Sequence, residues 1–176
     1  DVAKAKFDEA AIVPAVFGVP VEWRGDDVTW MDSLSKLPRL ARAAADLGCK
    51  RSATWIMPCS NDLTYDENMT FHVERWRPIA EVMGEHGISI GLEFVGPKTL
   101  REKFKHEFVY RADQMLEMGE KIGPNVGLLL DCFHWYTSGG TIEELNNLKP
   151  EQIVFVHIND GAEGRGPDEQ IDGDRR

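Results

Sequence analysis

The chain has 176 residues, enough for one domain with a sizeable core, and carries a formal net charge of −10. That acidity argues against a nucleic-acid backbone or an anionic membrane as partner, since both need clustered Lys and Arg, and leaves a small molecule in a local pocket. No apolar run approaches the roughly 20 residues of a membrane span, and Cys49, Cys59 and Cys132 form no CxxC pair, so a reducing cytoplasm is the expected location.

Two kinds of segment alternate along the chain. "AIVPAVFGVP" (11–20) is a short apolar run and reads as a strand. "SLSKLPRLARAAADLG" (33–48) places Leu37, Leu40, Ala41, Ala44 and Leu47 on one helical stripe and stops at Gly48, which accepts the left-handed conformation that ends a helix. "RSATWIMP" (51–58) reads as a strand, and "ERWRPIAEVMGEHG" (74–87) as a helix that Pro78 starts or kinks. "ISIGLEFVG" (88–96) is a strand, "EFVYRADQMLEMGEKIG" (107–123) a helix ending at Gly123, and "NVGLLLD" (125–131) a strand. "TIEELNNL" (141–148) is a short helix that opens on Thr141 with Glu144 three residues on, a capping box. "QIVFVHIND" (152–160) closes the series as a fifth strand, and the Gly-rich "GAEGRGP" (161–167) reads as a mobile lid loop. His72, His86 and His106 are expected on helix surfaces.

Alternation of this kind predicts an α/β fold with a parallel sheet and helices outside it. An open doubly wound sheet and a closed (β/α)8 TIM barrel both fit. A full barrel typically needs about 250 residues, so the barrel reading makes 1–176 a single partial domain with five of the eight strands. The start at Asp1 and the ending "DGDRR" agree with a piece of a longer chain. Open sheet edges in such a piece are expected to favour self-association.

Side chains alternate faces along a strand. In "SIGLEF" Glu93 shares a face with Ser89 and Gly91. In "VGLLLD" Asp131 shares one with Gly127 and Leu129. In "IVFVHIND" His157 lies in phase with Ile153, Phe155 and Asn159. Each strand thus carries one polar group near its C-terminal end, where parallel α/β folds build their sites. Two carboxylates and one imidazole, Glu93, Asp131 and His157, form a hard donor set suited to one divalent metal ion: Mn²⁺, Mg²⁺, Co²⁺ or Zn²⁺. Plainer roles compete at each position. Asp131 could be a helix N-cap, His157 a core histidine, Trp55 a buried strand residue and Arg175 a solvated terminal residue.

The runs "GLEFVG", "NVGLLLDCFHWYTSGG", "VFVHINDG" and "DGDRR" resemble the sugar phosphate isomerase/epimerase group of xylose-isomerase-like TIM barrels, with inosose isomerases the nearest branch. The resemblance implies Glu93, Asp131 and His157 as metal ligands, Glu93 also as a catalytic acid–base group, and His134 and Arg175 as substrate-binding residues. Apart from the resemblance, Trp55 is a candidate wall of the sugar pocket, as aromatic side chains often are. The resemblance also implies a fourth ligand, a Glu on a last strand, which has no counterpart here. The ketose 3-epimerase branch carries a second glutamate soon after the first; this chain has Lys98 and Thr99 in that region. The expected reaction is isomerisation or epimerisation of a keto-sugar or keto-polyol through an enediolate. Two rivals stay open: a non-catalytic sugar- or polyol-binding barrel, and an endonuclease-IV-like repair enzyme, which the acidic charge and five histidines disfavour.

Overall fold

The computed structural model describes residues 2–176. The elements in chain order are α1 (Val2–Glu9), β1 (Phe17–Gly18), α2 (Asp27–Asp46), β2 (Arg51–Trp55), β3 (Cys59–Ser60), α3 (Tyr65–Glu85), β4 (Ser89–Glu93), α4 (Lys98–Arg101), β5 (His106–Glu107), α5 (Ala112–Ile122), β6 (Val126–Asp131), α6 (Cys132–Thr137), α7 (Ile142–Asn147) and β7 (Ile153–His157). Short 3-10 turns follow at Pro167–Glu169 and Asp172–Asp174. Strands β1, β2, β4, β6 and β7 form one parallel sheet in that order, the half-barrel that the alternation predicts. Strands β3 and β5 pair separately as a short antiparallel ribbon.

The helix-facing side of β4 and β6 is apolar. Ile90 and Leu92 of β4 and Leu128 of β6 have no exposed surface, and α3 and α5 cover them with Trp76, Ile79, Met83, Met115 and Met118. This burial explains a departure from the sequence expectation. Pro78 does not start its helix but lies inside α3, as Pro38 lies inside α2. A proline costs a helix interior about 3 kcal/mol. Burying Ile79 and Met83 contributes about 1.5–3 kcal/mol each, so packing on the sheet carries the helix through.

Two histidines also differ from expectation. His72 is buried on α3, and His106 lies on β5 rather than on a helix, because the stretch before Ala112 pairs with β3 instead of extending α5. The capping box at α7 is present: Thr141 N–H donates to Glu144 Oε2 at 2.8 Å, and Glu144 N–H donates to Thr141 Oγ1 at 3.2 Å.

The sheet departs from strict alternation at one place. Leu128 pairs with Ile153, yet Leu129 pairs with Phe155, so β7 carries one extra residue, Val154. Val154 occupies space above two glycines. A Cβ added at Gly91 would lie 3.3 Å from Val154 Cβ, and one at Gly127 would lie 3.2 Å from Val154 Cγ2. Past the bulge, Asp131 pairs with His157.

Candidate metal centre

At the C-terminal rim of the sheet, Trp55 pairs with Glu93, Glu93 with Leu129, and Asp131 with His157, so these side chains share the inner, concave face. Glu93 is 6% exposed, Asp131 0% and His134 1%. The Nδ1 of His157 lies 3.3 Å from Glu93 Oε1 and 3.6 Å from Asp131 Oδ2. The three residues that the strand phases nominate thus converge.

Asp131 caps a helix with one carboxylate oxygen and turns the other toward the mouth. Its Oδ1 caps α6 by accepting from the N–H groups of Phe133 at 2.8 Å and His134 at 3.3 Å. Its Oδ2 faces the mouth, where Asn159 Nδ2 donates at 2.6 Å and Arg175 Nη1 lies 3.7 Å away. Asn159 is the residue that the sequence reading placed in phase but gave no role. Arg175 is far from solvated isolation. Residues Asp160 and Arg176 exchange two backbone hydrogen bonds, of 2.8 and 3.0 Å, and this pairing brings the guanidinium back over the rim.

Burial and the neighbouring Asp131 charge push the Glu93 pKa from its ordinary 4.5 up to about 7. Burial pulls that of His134 down to about 4, against the opposing pull of Asp131. Two buried carboxylates with so little compensating charge are the electrostatic condition that a divalent cation relieves. Ligand atoms about 2.1 Å from a common ion stand roughly 3.0–3.5 Å apart; the contact of His157 with Glu93, at 3.3 Å, falls in that range, and its contact with Asp131, at 3.6 Å, lies just outside it. Donor atoms of Glu93, Asp131 and His134 also fall within 4.8 Å of one another, so two imidazoles compete for the third position.

A cleft of about 290 Å³ opens beside this centre, with Trp55, Met57, Val95 and Leu100 as apolar walls and Glu93, His134, Asp172 and Arg175 as polar groups. Trp55 is 45% exposed and presents its indole to the cleft, which rules out the buried-strand alternative. Its other neighbour is Arg24, whose guanidinium carbon sits 4.2 Å from the Trp55 ring centroid and 3.9 Å from that of Trp23, and which donates to the Trp55 carbonyl. Sequence reasoning missed Arg24 and Asp172, since both lie in loops without periodicity. Glycine-rich 161–167 is pinned rather than free: buried Gln170 bonds Ala162 N and O and Arg165 O, Thr99 Oγ1 donates to the Gln170 carbonyl, and Lys98 pairs with Asp168 at 3.2 Å.

Residues 2–176 match the family described as Xylose isomerase-like TIM barrel. The chain belongs to this family. Within it, the chain is 32% identical to a xylose isomerase domain protein of Alicyclobacillus acidocaldarius, with a TM-score of 0.90 over 99% of this chain and 61% of that one. An inosose isomerase of Bacillus velezensis is 24% identical over 137 residues, 77% of this chain and 46% of that protein. The IolI protein solved with a bound zinc atom shares the fold at a TM-score of 0.76 and 22% identity, over 98% of this chain and 60% of that one. The chain therefore spans about half the length of that inosose isomerase and three-fifths of the two solved relatives. No helix among the described residues is long and apolar enough to cross a membrane.

Proposed function

We propose that this protein is a metal-dependent isomerase or epimerase of a keto-sugar or keto-polyol, with inosose the first substrate to test. The observation that carries the reading is the convergence of Glu93, Asp131 and His157, from three strands, on one point at the rim. The relatives named inosose isomerase and the zinc atom in the IolI protein support it. Glu93, Asp131 and His157 would hold the cation, which supplies polarisation of a carbonyl oxygen and so acidifies the neighbouring C–H.

The chain's own residues do the rest. Glu93, buried beside the cleft, is the group suited to accept and return the migrating proton at Oε. Arg175 and His134 point at the cleft and orient substrate oxygens. The exposed indole face of Trp55 takes the C–H face of a ring, and Arg24 holds that indole from behind. Asn159 keeps Asp131 Oδ2 aimed at the centre. Free thiols at Cys49, Cys59 and Cys132 accord with a cytoplasmic enzyme.

The test is metal analysis of the purified protein together with deuterium exchange on 2-keto-myo-inositol and a panel of ketoses. Washout of the proton next to the carbonyl, dependent on the bound metal, is expected. Binding of a polyol without washout would make the protein a binding module instead, and absence of metal would remove the proposed chemistry altogether.

A further inference from the structure

Arg75 is a buried cation in the helical layer of the half-barrel. It sits on α3, is 8% exposed, and lines none of the cleft. Its partners lie 48 to 52 residues earlier, in the loop between β1 and α2 and the first turn of α2. Nη1 donates to the Gly25 carbonyl at 2.8 Å and to that of Trp23 at 3.3 Å, and Nη2 pairs with Asp27 Oδ1 at 2.6 Å. The rings of Trp30 and Phe71 lie against the guanidinium, with centroids 4.9 and 4.8 Å from its carbon. A buried charge needs such a set of partners, and the planar fork of arginine fixes their relative placement where a lysine could not. The loop is tight as well: Gly25 N–H donates to the Glu22 carbonyl at 3.0 Å, and a Cβ at Gly25 would lie 3.1 Å from Thr29 Cβ.

Arg24 stands between the two carbonyls that Arg75 holds, and its side chain runs to the rim. Its guanidinium carbon lies 3.9 Å from the Trp23 ring centroid and 4.2 Å from that of Trp55, and it donates to the Trp55 carbonyl. Trp23 is 4% exposed and packs on Trp76 and His72 of α3 at centroid distances of 5.2 and 5.3 Å. Two routes thus run from α3 to this stack, one through the loop backbone to Arg24 and one through the Trp23 ring. Trp55 ends the stack and presents its indole to the cleft. We infer that Arg75 is a positioning residue for the cleft: it holds the 22–27 loop so that Arg24 is clamped between Trp23 and Trp55 and the Trp55 indole stands as a fixed wall.

An indole fixed before a ligand arrives loses less conformational freedom on binding than one that must be ordered by it. None of the Arg75 partners belongs to the cation centre. Its influence therefore falls on the wall of the cleft and not on the grip of Glu93, Asp131 and His157. The use of that wall for a keto-polyol rests on the isomerase or epimerase reading; the placement of Arg24 and Trp55 does not.

The experiment is NMR of the ¹³C,¹⁵N-labelled protein. Protons held over indole faces are shielded, so the Arg24 side-chain signals, assigned by their loss in Arg24→Met, are expected upfield of those of ordinary arginines. In Arg75→Met, checked for folding by circular dichroism, they are expected to return toward the ordinary range, with Arg75→Lys intermediate. Unshielded Arg24 signals in the wild type, or full shielding in a folded Arg75→Met, would overturn the inference. Failure of both Arg75 variants to fold would overturn it too, since Arg75 would then serve the fold alone. Calorimetric titration reads the consequence for ligands. Arg75→Met is expected to weaken binding of 2-keto-myo-inositol a few-fold and to leave Zn²⁺ affinity unchanged, and Arg24→Met added to it should weaken the ketone no further. Equal weakening of both ligands would mean general damage and sink the assignment. A wild type with shielded Arg24 signals that binds no 2-keto-myo-inositol would count against the substrate reading and leave the positioning role standing.

Discussion

His72 and Glu93 sit in the same half-barrel, both buried, and burial favours the neutral form of each. Burial pulls the pKa of His72 from 6.5 down to about 4, whereas burial and Asp131 push that of Glu93 from 4.5 up to about 7. Their surroundings differ in kind. His72 stacks on Phe108 at a centroid distance of 5.0 Å, tilts against Trp23 at 5.3 Å, and gives its Nδ1 hydrogen to the Asn68 carbonyl one turn back on its own helix. Glu93 meets polar groups from two other strands and the C-terminal segment: Asp131, His157 and Arg175. A buried titratable group is therefore no signature of a site by itself. Several of them drawn from distant segments, with charges left unbalanced, are.

The contrast can be broken by substitution. Asp131→Ala should have the largest effect, because it removes a cation donor and the cap of α6 together. Affinity for a divalent cation, read by calorimetric titration, should fall by about 100-fold or more, with roughly 1 kcal/mol of stability lost as well from the missing cap. Asp131→Ser, which keeps a capping oxygen, should recover the stability but not the affinity.

Glu93→Gln should separate binding from folding in the opposite direction. The folded pKa of Glu93 is raised, so its contribution to stability is fully present below pH 4.5 and is lost as pH rises through about 7. The metal-free wild type should weaken over that window by on the order of 3 kcal/mol, at 1.36 kcal/mol per pKa unit. The variant should show a flat urea-denaturation profile there while binding cations poorly.

His72 acts at the other end of the scale. Its folded pKa is lowered, so the unfolded chain takes up the proton first, and stability falls as pH drops from about 6.5 toward 4. His72→Phe should flatten that acid limb, worth up to about 3 kcal/mol, and leave cation binding unchanged. The smallest effect is expected from Arg24→Met, which frees the indole of Trp55. A cation–π contact at such a site is worth roughly 0.5–1 kcal/mol, so a weakening of a few-fold in polyol affinity, followed by tryptophan fluorescence, is the expected size.

Much of this is legible in the sequence. Strand phase alone put Glu93, Asp131 and His157 on one face, because a buried parallel strand has only two faces and one must pack on helices. The family resemblance added His134 and Arg175, and both reach the cleft. What stayed hidden depends on contacts between segments far apart in the chain. His72 looked like a surface residue because its own helix gives no hint of Phe108, 36 residues away. Arg24 and Asp172 lie in irregular loops where no period marks the inward direction. Gly96 showed only as a glycine after a strand; that its N–H meets an imidazole 38 residues on follows from how α6 docks. The mobility expected of 161–167 failed for a similar reason, since Gln170 and Thr99 fasten that loop from outside it.

The additional residue in β7 bears on how this protein can tolerate changes of length. Val154 is slack taken up between the base of the strand, where Ile153 meets Leu128, and the rim, where His157 meets Asp131. Removing it would make the pairing regular and leave the imidazole where it is, at the cost of a hollow above Gly91 and Gly127. Single-residue insertions and deletions near the foot of this strand can thus be absorbed without dismantling the centre above it, which lets the connection from the preceding helix drift in evolution while the chemistry stays fixed.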